Sequence, residues 1–194
     1  MTTRSCPQFA SLLVLSAIFV STSLRAQIGQ FWRVGNSGTI TRSCVAVGNG
    51  IYVAGNTSGN VEYSSDGVTW TQVASGISGS SDVAGVSRIG STFFAVGGDE
   101  ISRSTNGQSW TVGPLESNTF GRSIAGHAST LVVVGSSTSI STNNGISWTQ
   151  PEALQYTYLN DVIRTATQYV AVGDSGKIFT SANGVAWTNR SLSE

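Results

Sequence analysis

The sequence predicts an all-β protein: a β-propeller of four four-stranded blades, each of about 39 residues, plus one extra N-terminal strand after a signal peptide. Three observations carry this. Five tryptophans, Trp32, Trp70, Trp110, Trp148 and Trp187, recur at spacings of 38, 40, 38 and 39 residues. The last four close one motif, [Ser/Thr]-x-[Asp/Asn]-Gly-x-x-Trp, without a miss. Upstream of each motif lies an apolar run rich in β-branched and aromatic residues and ending in glycine, the composition of a bounded strand. A fixed period of this size marks a repeat architecture, solenoid or propeller.

The four motifs are Ser64-Ser-Asp66-Gly67-Val-Thr-Trp70, Ser104-Thr-Asn106-Gly107-Gln-Ser-Trp110, Thr142-Asn-Asn144-Gly145-Ile-Ser-Trp148 and Ser181-Ala-Asn183-Gly184-Val-Ala-Trp187. Asp-Gly or Asn-Gly between β runs is a strong hairpin signal, because a type I′ turn needs positive φ at both central residues. The preceding hydroxyl can bond turn amides. The tryptophan then leads the next strand and buries a large area between sheets. These residues read as structural.

The runs before the motifs are Ile51–Gly55, Thr92–Gly97, Thr130–Gly135 and Gln168–Gly173. Shorter apolar runs precede them, at Cys44–Val47, Val83–Val86, Ser123–Gly126 and Asp161–Ile163. Each unit thus has four short strands, a to d, with the motif as the c–d turn. The repeats fall at about 31–70, 71–110, 111–148 and 149–187. Four-stranded units of this length stacked about an axis describe propeller blades, whereas solenoid units are usually shorter. The segment at Trp32 is then a spare d strand, because the last unit already has its own, Val185–Arg190. The chain closes as a small ring, leaves an open arc that dimerises, or is a shortened relative of longer arrays.

The motifs resemble the Asp-box, or BNR, repeat of sialidase-like propellers and of photosystem II stability/assembly factor-like propellers. The usual box is Ser-x-Asp-x-Gly-x-Thr-Trp. The boxes here read as one residue shorter between acid and tryptophan, as in uncharacterised exported bacterial repeat proteins, and three carry Asn for Asp. The resemblance covers about residues 31–190 and implies blades whose boxes lie away from the active face. It carries over no catalytic residue: Phe31-Trp-Arg-Val34 does not match the early Phe-Arg-Ile-Pro type motif of sialidases. One blade type serves many functions.

Composition excludes more than it assigns. Of 194 residues, 39% are hydrophobic and 10% charged, with 23 glycines; about 25% charged is usual. Regular apolar runs at zero formal charge argue for order rather than disorder. Without residues 1–26, which hold Arg4 and Arg25, eight basic residues face ten acidic ones, and Lys177 is the lone lysine. No basic patch suggests nucleic acid. Arg4, the apolar stretch Phe9–Val20 and the polar run ending in Ala26 follow the order of a secretory signal peptide. The stretch is short for a membrane span. The expectation is an exported chain, periplasmic or extracellular, with cleavage near Ala26 and no stable membrane anchor afterwards. Cys6 leaves with the signal, and Cys44 stays as a free, small buried apolar side chain.

Chemistry candidates are few. His127 is the single histidine and sits in a repeat strand, where a structural role is the ordinary one. No Cys/His cluster offers metal ligands, no phosphate loop is present, and no cofactor is implied. Asp82 and Asp161 stand before strand a as caps, while Asp99, Asp174 and Asn56 follow strand b as turn residues. Residues that no repeat position demands gather in the d–a connections, Thr71–Ser81, Val112–Arg122 and Thr149–Asn160. There Glu116, Phe120, Arg122, Tyr156 and Tyr158, with Glu152 nearby, form the candidate binding patch, since aromatic and Arg side chains suit recognition. The rival reading is that Tyr156 and Tyr158 close the ring at the last blade. The functional expectation is a non-enzymatic binding or scaffold propeller whose partner is a protein or a glycan. The alternatives are a carbohydrate-binding or sialidase-like hydrolase and an assembly factor for a membrane complex. A homo-dimer follows if the ring is open.

Overall fold

The computed structural model describes residues 41–78, 82–116 and 118–192. The expected signal sequence and the expected spare strand at Trp32 lie outside the described residues.

Four antiparallel sheets follow one another along the chain. The first holds β1 (Arg42–Gly48), β2 (Ile51–Asn56), β3 (Asn60–Ser64) and β4 (Thr71–Ala74). The second holds β5 (Gly85–Ile89), β6 (Thr92–Gly97), β7 (Glu100–Ser104) and β8 (Thr111–Pro114). The third has three strands, β9 (Ser123–His127), β10 (Thr130–Val134) and β11 (Thr138–Ser141). The fourth holds β12 (Leu159–Arg164), β13 (Tyr169–Gly173), β14 (Ile178–Ser181) and β15 (Thr188–Asn189). Each is a meander, as short loops between neighbouring strands dictate. Inner strands β1, β5, β9 and β12 neighbour one another in that order.

The fourth strand expected in the third blade is reduced to one bridge, Ile140 to Thr149. Pro151 follows within two residues and has no amide to donate. A single 3₁₀ turn at Glu152–Leu154 replaces the strand and buries Leu154. Strand a of the second blade starts at Gly85 rather than Val83, although Val83 is fully buried. Asp161 lies inside β12, not before it. The last strand is two residues long rather than the expected Val185–Arg190.

The core consists of three separate layers, each shared by consecutive blades. Val53, Val61, Phe93 and Ala95 fill the first, Phe94, Val96, Ile124 and Val133 the second, and Val132, Val134, Val162 and Tyr169 the third. Alternation along β6 and β10 sends neighbouring residues to opposite layers, so each central strand is apolar on both faces. Full burial of one such valine stabilises by about 1.5–3 kcal/mol relative to exposure.

The glycine closing strand b has a steric cause. A Cβ at Gly97, Gly135 or Gly173 would run into the carbonyl oxygen of Asp82, Phe120 or Tyr158. The incoming d–a segment crosses strand b there, and only glycine leaves room.

Candidate functional site

The boxes form cages of local hydrogen bonds. In the first, the Gly67 amide donates to Ser64 Oγ (2.8 Å), and the Val68 and Thr69 amides donate to Asp66 Oδ1 (both 2.8 Å). Trp70 Nε1 donates to the Gly67 carbonyl at 3.3 Å. The second and fourth boxes repeat this with Asn106 and Asn183 as acceptors. Asn replaces Asp freely because only Oδ1 is used. The amides of Thr69 and Val68 hold the Asp66 carboxyl down at about 2.

Two expectations about the boxes are corrected. Gly67, Gly107 and Gly184 have positive φ, but Asp66, Asn106 and Asn183 do not, so these boxes are not type I′ turns. Their side chains satisfy the amides that a two-residue turn would have left out. Asn-Gly pairs with both φ positive lie instead at Asn49–Gly50, between β1 and β2, and at Asn144–Gly145 in the third box.

The second correction concerns the third box. Ser141, not Thr142, accepts the Gly145 amide (2.8 Å), and Asn143, not Asn144, accepts the Ser147 amide (3.0 Å). This copy therefore reads Ser141-x-Asn143-x-Gly145-x-Ser147-Trp148 and is not shortened. The extra residue, Asn144, takes φ 60° beside Gly145 at 80°. Trp148 Nε1 then loses its carbonyl and is buried without a partner. The indoles of the other three boxes are bonded.

The opposite face is built by the d–a and b–c loops, as expected. Val83 N donates to the Asn56 carbonyl (3.0 Å), Leu115 N to Asp99 (2.8 Å), Gly121 N to Gly98 (2.8 Å) and Leu159 N to Gly135 (2.9 Å). Side chains tie the same loops: Phe120 N donates to Asp99 Oδ1 (3.1 Å), and Asn160 Nδ2 to Asp174 Oδ1 (2.6 Å). Asn56 is buried and organises its own turn, accepting from Ser58 N and Asn60 N. Asp99 and Asp174 thus fasten neighbouring loops.

On this face Arg122 reaches across one blade. Its Nη1 donates to Asn160 Oδ1 at 2.7 Å, and its guanidinium lies 5.1 Å from the centroid of Tyr158. Phe120 and Tyr156 are exposed beside these loops, with Tyr156 83% accessible. Tyr156 has φ 56° and Phe120 φ 40°, conformations unusual for large side chains. Glu116 is half-buried and lines a groove of about 480 Å³ between β8 and the third box, with Arg103 and Trp148. Nothing in the structure ties Glu116 to Arg122.

Phe120 and Tyr158 are not free of the repeat. With Asp82 they occupy one blade position, the residue whose carbonyl crosses the strand-b glycine. Asn118 and Tyr156 likewise share a left-handed position, with φ 64° and 56°. The backbone there is repetitive and the side chains are not. Tyr156 and Tyr158 lie in the segment that joins the third blade to the fourth.

His127 is exposed at the end of β9. Among the described residues no group of three His, Cys, Asp or Glu is placed to hold a metal, and no helix is long and apolar enough to cross a membrane. Cys44 is half-buried, not fully buried. Its Sγ lies 3.4 Å from the Val83 carbonyl oxygen, and burial pushes its thiol pKa up.

Stacked antiparallel meanders of three or four strands with one loop-built face define a β-propeller. The chain belongs to the family of the DUF6242 beta propeller domain, whose model matches residues 32–159. No curated protein is a recognisable sequence relative. Among solved structures it is similar to YCF48 bound to D1 peptide, at 20% identity and TM-score 0.62, over 79% of this chain and 55% of that one. YCF48 from Cyanidioschyzon merolae matches at 19% identity and TM-score 0.61, over 83% and 59%. Streptogramin B lyase matches at 8% identity and TM-score 0.66, over 78% and 54%. The chain spans somewhat more than half the length of these structures. At such identities the likeness establishes the fold.

Proposed function

We propose that the chain is an exported, non-enzymatic binding propeller that holds a polypeptide segment on its d–a/b–c loop face. The observation carrying this is the Arg122–Tyr158–Asn160 cluster, flanked by Phe120 and Tyr156 and fixed by cross-loop hydrogen bonds. Rigid aromatic and arginine side chains are the usual anchors of recognition. The loops also carry Asp82, Asp99, Glu116, Glu152 and Asp174 against Arg122 and Lys177. That acidic balance favours a segment with basic side chains, steered by charge and anchored by ring stacking.

The similarity to YCF48, whose structure was solved with a peptide bound, supports a peptide rather than a glycan. A role in assembling a membrane complex belongs to this reading as a narrower version of it. Export rests on the order of charge, apolar core and small residues in 1–26. The test is binding of the purified chain to a peptide array and to a glycan array, alongside a Y156N/Y158A variant. Retention of basic-aromatic peptides that the variant loses supports the proposal. Retention of glycans, or peptide binding that survives in the variant, refutes it.

A further inference from the structure

We infer that the outer face of the fourth blade and the outer face of the first blade are the two halves of one interface. A second copy of this chain completes it head to tail. Four blades share three apolar layers, and among the described residues no fourth layer joins β12–β15 to β1–β4. The two end faces are left without a blade against them, and strand register identifies each.

Val172 pairs with Asp161 and Ile178. The same position is Val134 in the third blade and Val96 in the second, each paired across its two neighbours in the same way. Val134 and Val96 are fully buried against the following blade, whereas Val172 is 41% exposed. Ile178 corresponds to Ile101 and Val61, which lie in apolar layers, yet it is also exposed. Ile163 on β12 extends the same exposed face.

At the other end, Val45 pairs with Ala54 as Ile124 pairs with Val133 and Val162 with Ala171. Ile124 and Val162 are buried against the preceding blade; Val45 is 52% exposed. Tyr52 occupies the position of Tyr169 and makes the same ring contact. Its centroid is 6.5 Å from Trp70 at 55°, against 6.3 Å and 54° for Tyr169 and Trp187. The Tyr169–Trp187 pair packs on the layer between the third and fourth blades. The first blade therefore presents Val45, Tyr52 and Trp70 at the positions by which the fourth blade meets the third, with the buried Glu62 in place of Phe179. The Arg42–Glu62 ion pair, at 2.7 Å, lies on the Val45–Ala54 face and adds one polar contact.

A second copy fits better than an unrelated partner because each face repeats an interface already formed three times within the chain. Heterologous contacts of this type close into a ring when the rotation permits. Two copies would make eight blades, within the usual range for propellers.

The test uses the full chain and the variants Val45→Asp and Val172→Asp, with light scattering after size exclusion at micromolar concentration. Both positions are exposed within one chain, so circular dichroism should show each variant folded. The native chain should have the mass of two chains and each variant the mass of one. An equimolar mixture of the variants should regain association, because one intact junction forms between the undamaged faces. A native chain of single mass overturns the proposal, as does a two-chain mass unchanged in the variants. Variants that fail to associate on mixing would mean that the intact first-blade and fourth-blade faces do not bind each other, and that too overturns it.

Discussion

Ser141 Oγ accepts the amide of Gly145, four residues on, where Ser64, Ser104 and Ser181 each accept from a glycine three residues on. That one-residue difference separates the third blade from the others. It places Asn144 in the left-handed region and strips Trp148 Nε1 of its carbonyl. It also coincides with an outer strand reduced to Thr149. Asn144→Gly should be close to neutral and Asn144→Val should cost about 1–2 kcal/mol, because a β-branched residue is strained at positive φ. Urea unfolding of the three proteins checks this.

Ser104→Ala leaves the Gly107 amide, which is buried in the second box, without an acceptor. The expected loss is about 1–2 kcal/mol. Ser104→Thr restores a hydroxyl and should recover most of it. The same unfolding measurement decides, and a neutral Ser104→Ala would show that the cage contributes nothing.

Asp66 is the single acid among the box acceptors. Its folded pKa of about 2 lies below the ordinary value of 3.8. A depressed carboxylate adds stability above its unfolded pKa and loses it as pH falls through the folded one. The native chain should therefore lose stability between about pH 4 and pH 2 in part through this residue. Asp66→Asn, which keeps the acceptor as Asn106 and Asn183 do, should flatten that part of the profile. Thermal midpoints from pH 2 to 5 measure it, and identical profiles would remove Asp66 from the account.

Tyr156 holds φ 56° where Asn118 holds 64° one blade earlier. Tyr156→Asn should raise stability by about 0.5–1 kcal/mol, since Asn tolerates this conformation far better than an aromatic residue. The same change should weaken peptide binding. A stability gain without a binding loss would mean that the ring has no recognition role.

Cys44 should react slowly. Burial raises its pKa, and the thiolate is the nucleophile. Labelling with a disulfide reagent at neutral pH should be slower in the native chain than in the urea-unfolded chain.

The blade plan was legible because turns, glycines and tryptophans each leave a mark in sequence. The glycine at the end of strand b was visible as a pattern, but its reason, the crossing carbonyls of Asp82, Phe120 and Tyr158, is a contact about fifteen residues away. The third box fits two registers in sequence, because Thr142-Asn-Asn144-Gly145 matches the short motif as well as Ser141-Thr-Asn143 matches the long one. Only the hydrogen bonds separate the two. The aromatic and arginine residues of the d–a loops stand out in the sequence because no repeat position demands them. The pairing of Arg122 with Asn160, 38 residues on, left no local signal.

Four blades share three apolar layers and, among the described residues, leave an end face on the first and on the fourth blade for a second copy to cover. Small-angle X-ray scattering of the native chain, with mass from the forward scattering, tests it most directly. The expected result is a two-chain particle whose distance distribution fits a compact ring of eight blades. A particle of one chain with a compact four-blade distribution would contradict it.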